Sequence, residues 1–276
     1  MSETTRPHPH LRVSRDGAVL TVVLDNPTRR NAQTPSLWLA LAEVAETLDP
    51  GVRVVVLKGD GPSFSGGIDL AMLTPDGVEG EVSMLAPAAE SAEAMAETIA
   101  PYQRGFTAWA EVDAVVVAAV QGHAIGAGFQ LALAADLRVV ADDAQFAMRE
   151  TSLGLVPDLG GTKPLVDIVG YGKALEICVT GRAVGAAEAV ASGLASVAVP
   201  ADELAATTAD LVAAILAAPE PAARELKPLL RRAATSDRDD PLRHEREAQG
   251  RLLHAVVTQR LAQACPAAGP SAEAPA

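Results

Sequence analysis

The sequence predicts an α/β fold in which parallel strands are joined by helical crossovers. Residues 54–57 and 115–120 are short, β-branched and uncharged, the composition of strands covered on both faces. Both runs lead into glycine-rich turns, and after the second one Phe129, Leu131, Leu133 and Ala134 recur at helical spacing. Strand-like and helix-like segments then alternate along the chain, the order expected of parallel crossover units.

Taken in order, residues 1–10 are polar with two prolines, lack an apolar signal core and read as a flexible terminus. Strands are expected at 11–15 and 18–24, a helix at 35–48 and a strand at 53–58. Residues 71–100 are rich in Ala, Glu and Met with scattered Gly and Pro, and read as a mobile segment beside a pocket. A helix at 101–112, the strand at 115–120, a helix at 127–135 and a strand at 136–140 follow. Helices at 161–168, 172–179 and 186–192 lead to a strand at 195–199. Three more helices, at 201–217, 219–234 and 241–263, form a C-terminal helical region after a core domain at 11–200. Residues 264–276 have the composition of a disordered tail.

At 276 residues, 49% hydrophobic but only 3% aromatic, the chain can fill one large core with Ala, Val and Leu. Its net charge of −13 argues against nucleic acid or an anionic membrane as a general partner. No uncharged apolar stretch is long enough for a membrane span. Cys178 and Cys265 lie far apart without metal-ligand spacing, which suits a reducing cytoplasm. No metal site is expected; His8 and His10 flank a proline in the polar terminus.

The turn at 121–130, Gln-Gly-His-Ala-Ile-Gly-Ala-Gly-Phe-Gln, carries the chemistry. A dinucleotide fingerprint would need a glycine where Leu131 stands, and a nucleophile elbow would need a serine where Ala124 stands. No P-loop lysine follows. What remains is a set of main-chain N–H groups at Gly126, Ala127 and Gly128, bare at a helix start and able to hold developing negative charge. The plainer alternative is that these glycines only let a strand and a helix pack closely. Upstream, Ser65, Gly66, Gly67, Ile68, Asp69 and Leu70 form a second strand–glycine–helix junction, with a free amide expected at Ile68. Two amides from separate loops are what an oxyanion hole requires. Downstream, Phe146-Ala147-Met148-Arg149-Glu150 leads into a Gly- and Pro-punctuated run through Asp158 to Thr162.

These segments, together with Leu24-Asp25-Asn26-Pro27-Thr28-Arg29-Arg30-Asn31-Ala32 and Leu175-Glu176-Ile177-Cys178-Val179-Thr180-Gly181-Arg182, resemble the crotonase family, also called enoyl-CoA hydratase/isomerase, in order and spacing across residues 19–200. The resemblance implies a spiral of ββα repeats and C-terminal helices that form a homotrimer or a dimer of trimers. It implies an enzyme acting on acyl-CoA thioesters, with no cofactor beyond the coenzyme A carried by the substrate. The Ile68 and Ala127 amides would polarise the thioester carbonyl.

Family hydratases use two glutamates to hold a water and move protons. The first position is occupied here by Gln130, which can orient a group but cannot take a proton. The second falls on Glu150, whose plainer reading is a solvated glutamate beside Arg149. Asp158, eight residues on, matches the acid of the dienoyl-CoA isomerase branch; alternatively it caps a helix beginning near Gly160. Arg29, Arg30 and Ala32 fall where relatives approach the nucleotide end of coenzyme A, with Ser65, Gly66, Gly67, Asp69, Leu70, Gly126 and Gly128 along the rest of the ligand; a solvated arginine pair is the alternative for the first two. Asp69 is expected to tie down its own loop, and His123 to make a local hydrogen bond. The family's basic C-terminal ending is missing, so contacts there stay undefined. Enoyl-CoA hydration is the first activity expected, double-bond isomerisation the second, and non-catalytic acyl-CoA binding the third.

Overall fold

A computed structural model describes residues 3–236 and 239–264. The tail expected at 264–276 lies outside them apart from Ala264, which ends the last helix. The chain divides into two compact units after Ala217.

The first unit is built on a seven-stranded sheet. Its strands are β1 (Glu3–His8), β2 (Leu11–Asp16), β3 (Val19–Leu24), β4 (Val54–Gly59), β5 (Val115–Val120), β7 (Leu137–Ala141) and β10 (Val197–Val199), hydrogen-bonded in that order. The β1–β2–β3 edge is antiparallel and the rest is parallel. Both faces of the parallel part are covered, and this is why its strands are apolar without alternation. Val55, Leu57, Val116 and Ala118 face the larger core with helices α1 (Pro35–Glu46) and α3 (Ala92–Glu111). Val54, Val56, Val117 and Ala119 face α8 (Leu204–Ala217) through Leu204 and Val212. Helix α8 therefore belongs with the core unit, and the division falls after residue 217 rather than at 200/201.

A second, three-stranded sheet of β6 (His123–Ile125), β8 (Gln145–Ala147) and β9 (Val184–Gly185) continues the chain beyond the ends of β5 and β7. None of these three was expected; at two or three residues they are too short to show a period of two. The order strand, short strand, helix runs through β5, β6 and α4 (Ala127–Ala134), and β7–β8 begins it again. That recurrence is the ββα spiral. Helices α5 (Thr162–Val169), α6 (Tyr171–Thr180) and α7 (Ala186–Ala191) complete the first unit, with a short α2 (Leu85–Glu90) before α3.

Two expectations for the first hundred residues are corrected. The terminus expected to be flexible forms β1, pairing Thr4 with Ser14 and Thr5 with Val13. An edge strand needs few apolar residues and tolerates proline, so its polar sequence hid it. Residues 92–100, expected within the mobile segment, are the first turns of α3, and 85–90 form α2. Ser91 caps α3 by accepting the Ala94 N–H at 3.0 Å. The helix expected to begin at 101 begins at Ala92, and Pro101 sits inside it. Pro101 and Glu97, whose carbonyl loses its partner, are both exposed, so water can satisfy that carbonyl.

The second unit contains α9 (Glu220–Ala233) and α10 (Asp239–Ala264), joined by a two-pronged Arg251–Glu225 pair at 3.0 and 2.9 Å.

Helices α1 and α3 touch backbone to backbone. A Cβ at Gly105 would lie 2.5 Å from the Trp38 carbonyl oxygen, and Trp38 in turn stacks obliquely on Phe106 and Tyr102. Gly105→Val is expected to force the helices apart and cost roughly 1–3 kcal/mol, read as a lowered midpoint in urea unfolding.

Candidate active site

The site begins where β4 and β5 end. Beyond the sheet the two chains stay paired: Phe64 N–H donates to Gln121 O, Ser65 N–H to His123 O, and Ile125 N–H to Ser65 O, at 2.8, 2.8 and 3.0 Å. Two buried amides hold the first loop in place. The Asn31 side-chain nitrogen lies 2.8–3.1 Å from the carbonyl oxygens of Asp60, Ser63 and Phe64. Gln33 donates to Ser65 Oγ at 2.9 Å, and its main chain brackets Ile68, accepting from Asp69 N–H and donating to Gly67 O. Neither Asn31 nor Gln33 is marked as a site residue by the sequence alone. The available signal was two uncharged polar residues directly before an apolar helix, a weak one.

Gly67 has φ +90°, and a Cβ there would lie 2.5 Å from Ile125 O and 3.5 Å from Ala127 N. Only a residue without a side chain lets these two strands of backbone run so close. On the facing turn, Gly126 donates to Ala147 O at 2.8 Å and serves as N-cap of α4. Among the described residues, neither the Ile68 nor the Ala127 N–H has a hydrogen-bond partner. Both residues line the same largely apolar cavity of about 620 Å³. Leu70, Leu153, Leu155 and Val156 are exposed at its walls, an apolar mouth uncommon on a surface with no ligand to meet.

Glu150, Gln130 and Asp158 face this cavity too. Glu150 stands at the start of a 3-10 turn, and its Oε1 would be 3.4 Å from a Cβ at Gly126, so its carboxylate abuts the turn that presents Ala127 N–H. Oε1 accepts a 2.8 Å hydrogen bond from Gln130 Nε2, while Oε2 is buried with no partner among the described residues. Burial raises the Glu150 pKa above the ordinary glutamate value; its own backbone N–H and the Gln130 bond oppose this, and the Asp158 charge adds to it. Burial likewise raises Asp158. Gln130, only 1% exposed, accepts from Leu159 N–H at 2.9 Å and Gly161 N–H at 3.2 Å.

The capping role considered for Asp158 is not found. Helix α5 has Gly161 as its N-cap without a side-chain bond, and the Asp158 carbonyl is held by Gln103 Nε2 at 2.7 Å. Asp69 does tie down its loop, accepting from Ala71 N–H at 3.1 Å and from Arg29 Nη2 at 2.9 Å. His123 Nδ1 lies 3.2 Å from Ser63 Oγ, the local bond expected of it. Arg29, Ala32 and Asp69 border a second, polar cavity with His8 and Glu81, whereas Arg30 is exposed and its carbonyl accepts from Gly66 N–H. Gly66, Gly67, Leu70 and Gly126 line the apolar cavity; Ser65 and Gly128 are buried behind it. His8, expected in a mobile terminus, bonds Ser36 Oγ at 2.9 Å. No helix among the described residues is long and apolar enough to cross a membrane.

The sequence pattern of the enoyl-CoA hydratase/isomerase family matches residues 14–264. A peroxisomal Δ(3,5)-Δ(2,4)-dienoyl-CoA isomerase of Arabidopsis thaliana is 32% identical over 188 residues, 67% of each chain. A carnitinyl-CoA dehydratase of Escherichia coli (strain K12) is 38% identical over 190 residues, 67% of this chain and 66% of the other. A Thermobifida fusca protein provisionally described as an enoyl-CoA hydratase, solved in complex with acetoacetyl-CoA, superposes with a TM-score of 0.84 at 46% identity, covering 89% of this chain and 95% of that one.

The raised Glu150 pKa has a consequence for stability. A carboxyl whose folded-state pKa lies above its unfolded value stabilises the fold in acid, and that contribution is lost as pH rises through the folded pKa. Glu150→Gln removes the ionised form. Its melting temperature is expected to exceed that of the parent by a few degrees at pH 8, with the gap closing below about pH 4, where an unfolded glutamate is protonated too. Scanning calorimetry across that range checks it.

Proposed function

The chain belongs to the enoyl-CoA hydratase/isomerase family, and from that premise we propose that it moves a double bond within an unsaturated acyl-CoA thioester. The observation that carries this reading is the pair of half-buried carboxyls, Glu150 and Asp158, in one apolar cavity beside two unused main-chain N–H groups. In the reaction, the thioester carbonyl accepts from Ile68 and Ala127 N–H. Its α-carbon acidity rises because the enolate oxygen formed on deprotonation keeps those two donors. Glu150 is the base: the Gln130 N–H favours its ionised form, and its Oε2 is free to receive the proton. Asp158, whose carboxyl is bonded by its own backbone N–H and pushed toward the protonated form by burial, carries the second proton and delivers it at the far end of the conjugated system. The electron pair of the broken C–H bond becomes part of the new conjugated arrangement, and no net atoms are gained or lost.

The rest of the ligand is assigned accordingly. Arg29, Arg30 and Ala32 support the nucleotide end of coenzyme A, which is the only group required besides the protein. The assembly proposed is a homotrimer or a dimer of trimers.

Hydration is the second reading. The unpartnered Glu150 Oε2 could also hold a water, and the Thermobifida fusca relative is described as a hydratase. Against it, Gln130 cannot serve as a second base.

Crotonyl-CoA, a 3-enoyl-CoA and a 3,5-dienoyl-CoA, followed by thioester and diene absorbance, separate the readings. Change with the latter two is expected. Change with crotonyl-CoA alone would make the protein a hydratase, and binding without change would make it a carrier. Glu150→Gln and Asp158→Asn are each expected to lower kcat by about 10²–10⁴, with the thioester Kd from calorimetry nearly unchanged. An undiminished kcat in either variant removes that residue from the chemistry.

A further inference from the structure

We infer that Gln130 is the positioning residue of this site: its amide clamps Oε1 of Glu150 and thereby presents Oε2 as the oxygen that exchanges the proton. The hydrogen bonds of its amide fix which end faces which partner. A carboxamide oxygen has two lone pairs, and both are taken by the Leu159 and Gly161 N–H groups, at 2.9 and 3.2 Å. Main-chain N–H groups can only donate, so they fix which end of the amide is oxygen. The NH₂ end must then face Glu150, where it donates to Oε1 at 2.8 Å. The side chain is 1% exposed, and Gly161 packs so close that a Cβ there would lie 2.7 Å from Gln130 Cγ. With its oxygen saturated, Gln130 cannot accept from a reacting water.

This one side chain joins three parts of the site. It projects from α4, whose first residue offers the Ala127 N–H; it holds Glu150; and Leu159, which it also holds, directly follows Asp158. The residue type follows from the two ends. A glutamate at this position could accept from Leu159 and Gly161, but could meet the Glu150 carboxylate only by sharing a proton with it. Glutamine satisfies both ends while leaving Glu150 ionised. The absence of the family glutamate is thus a gain of a donor as well as the loss of a base.

The inference rests on the proton-transfer reading above, and its test includes a measurement independent of turnover. In protein labelled with ¹³C at glutamate carboxyls, the Glu150 resonance, assigned by its loss in Glu150→Gln, is titrated in the parent, in Gln130→Glu and in Gln130→Met. Gln130→Glu should raise the Glu150 midpoint by about one pH unit or more, because a like charge now faces it. The rise of kcat/KM with pH, which follows ionisation of Glu150, should move to higher pH by the same amount. At neutral pH kcat should fall roughly tenfold or more with KM within about threefold. Gln130→Met, which removes the donor without adding charge, should move the midpoint upward by less. A Glu150 midpoint unmoved in both variants, in protein that melts as a single transition, overturns the clamp. Parent protein inactive on every thioester, but with the midpoint shifts present, would leave the clamp standing and overturn the isomerase reading instead.

Discussion

Everything at the site depends on two chain segments continuing to pair after the sheet that produced them has ended. The main-chain bonds from Phe64 and Ser65 to residues 121–125 carry β4 and β5 past their last regular positions. The pairing then stops, with Gly67 against Ile125 and no side chain between them. Past that point the Ile68 N–H on one side and, one residue beyond the bonded Gly126, the Ala127 N–H on the other have no partner among the described residues, and both residues line the cavity. Unmade hydrogen bonds of this kind are costly, and folds retain them where a ligand can complete them. The amides of Asn31 and Gln33 secure the arrangement by filling the carbonyls and hydroxyl of the 60–65 loop.

Burial then sets the electrostatics. The chain carries a net charge of −13, yet that charge is mostly solvated and organised in surface pairs such as Arg182 with Glu176 and Glu188. Those exposed pairs contribute little to stability. Glu150 and Asp158 are different because the cavity wall is apolar, and each is pushed toward its protonated form by loss of water. The Gln130 donor acts on only one of them, Glu150, so the two carboxyls sit in different hydrogen-bonding environments. Two carboxyls in contrasting environments are the usual means of obtaining an acid and a base from one residue type.

Part of the cavity wall comes from segments with little strand or helix signal of their own. Met84, Leu85 and Ala88 of the α2 region, with Met95 and Ile99 of α3, close the apolar side of the cavity. Glu81 anchors this stretch by accepting from the Ser36 N–H at 3.1 Å at the start of α1. A composition of Ala, Glu and Met is as compatible with a mobile segment as with helix, and packing of Tyr102 and Phe106 against Trp38 of α1 is what orders residues 92–111.

The sequence by itself determined the α/β class, the buried parallel strands and the position of the turn at Gly126–Ala127, because each is written in contiguous residues whose period or composition is local. The resemblance to the crotonase family carried in its motifs supplied the roster of Gln130, Glu150 and Asp158. Only the tertiary structure decided which groups those residues touch. That Asp158 lines a cavity rather than capping α5, that a polar terminus becomes β1, and that the Gln130 amide bonds Glu150, Leu159 and Gly161 are facts about partners that no contiguous run of residues contains, the last three 20 to 31 residues from Gln130. Hydrogen-bond saturation is a property of distances across the fold, and no local pattern of residues encodes it.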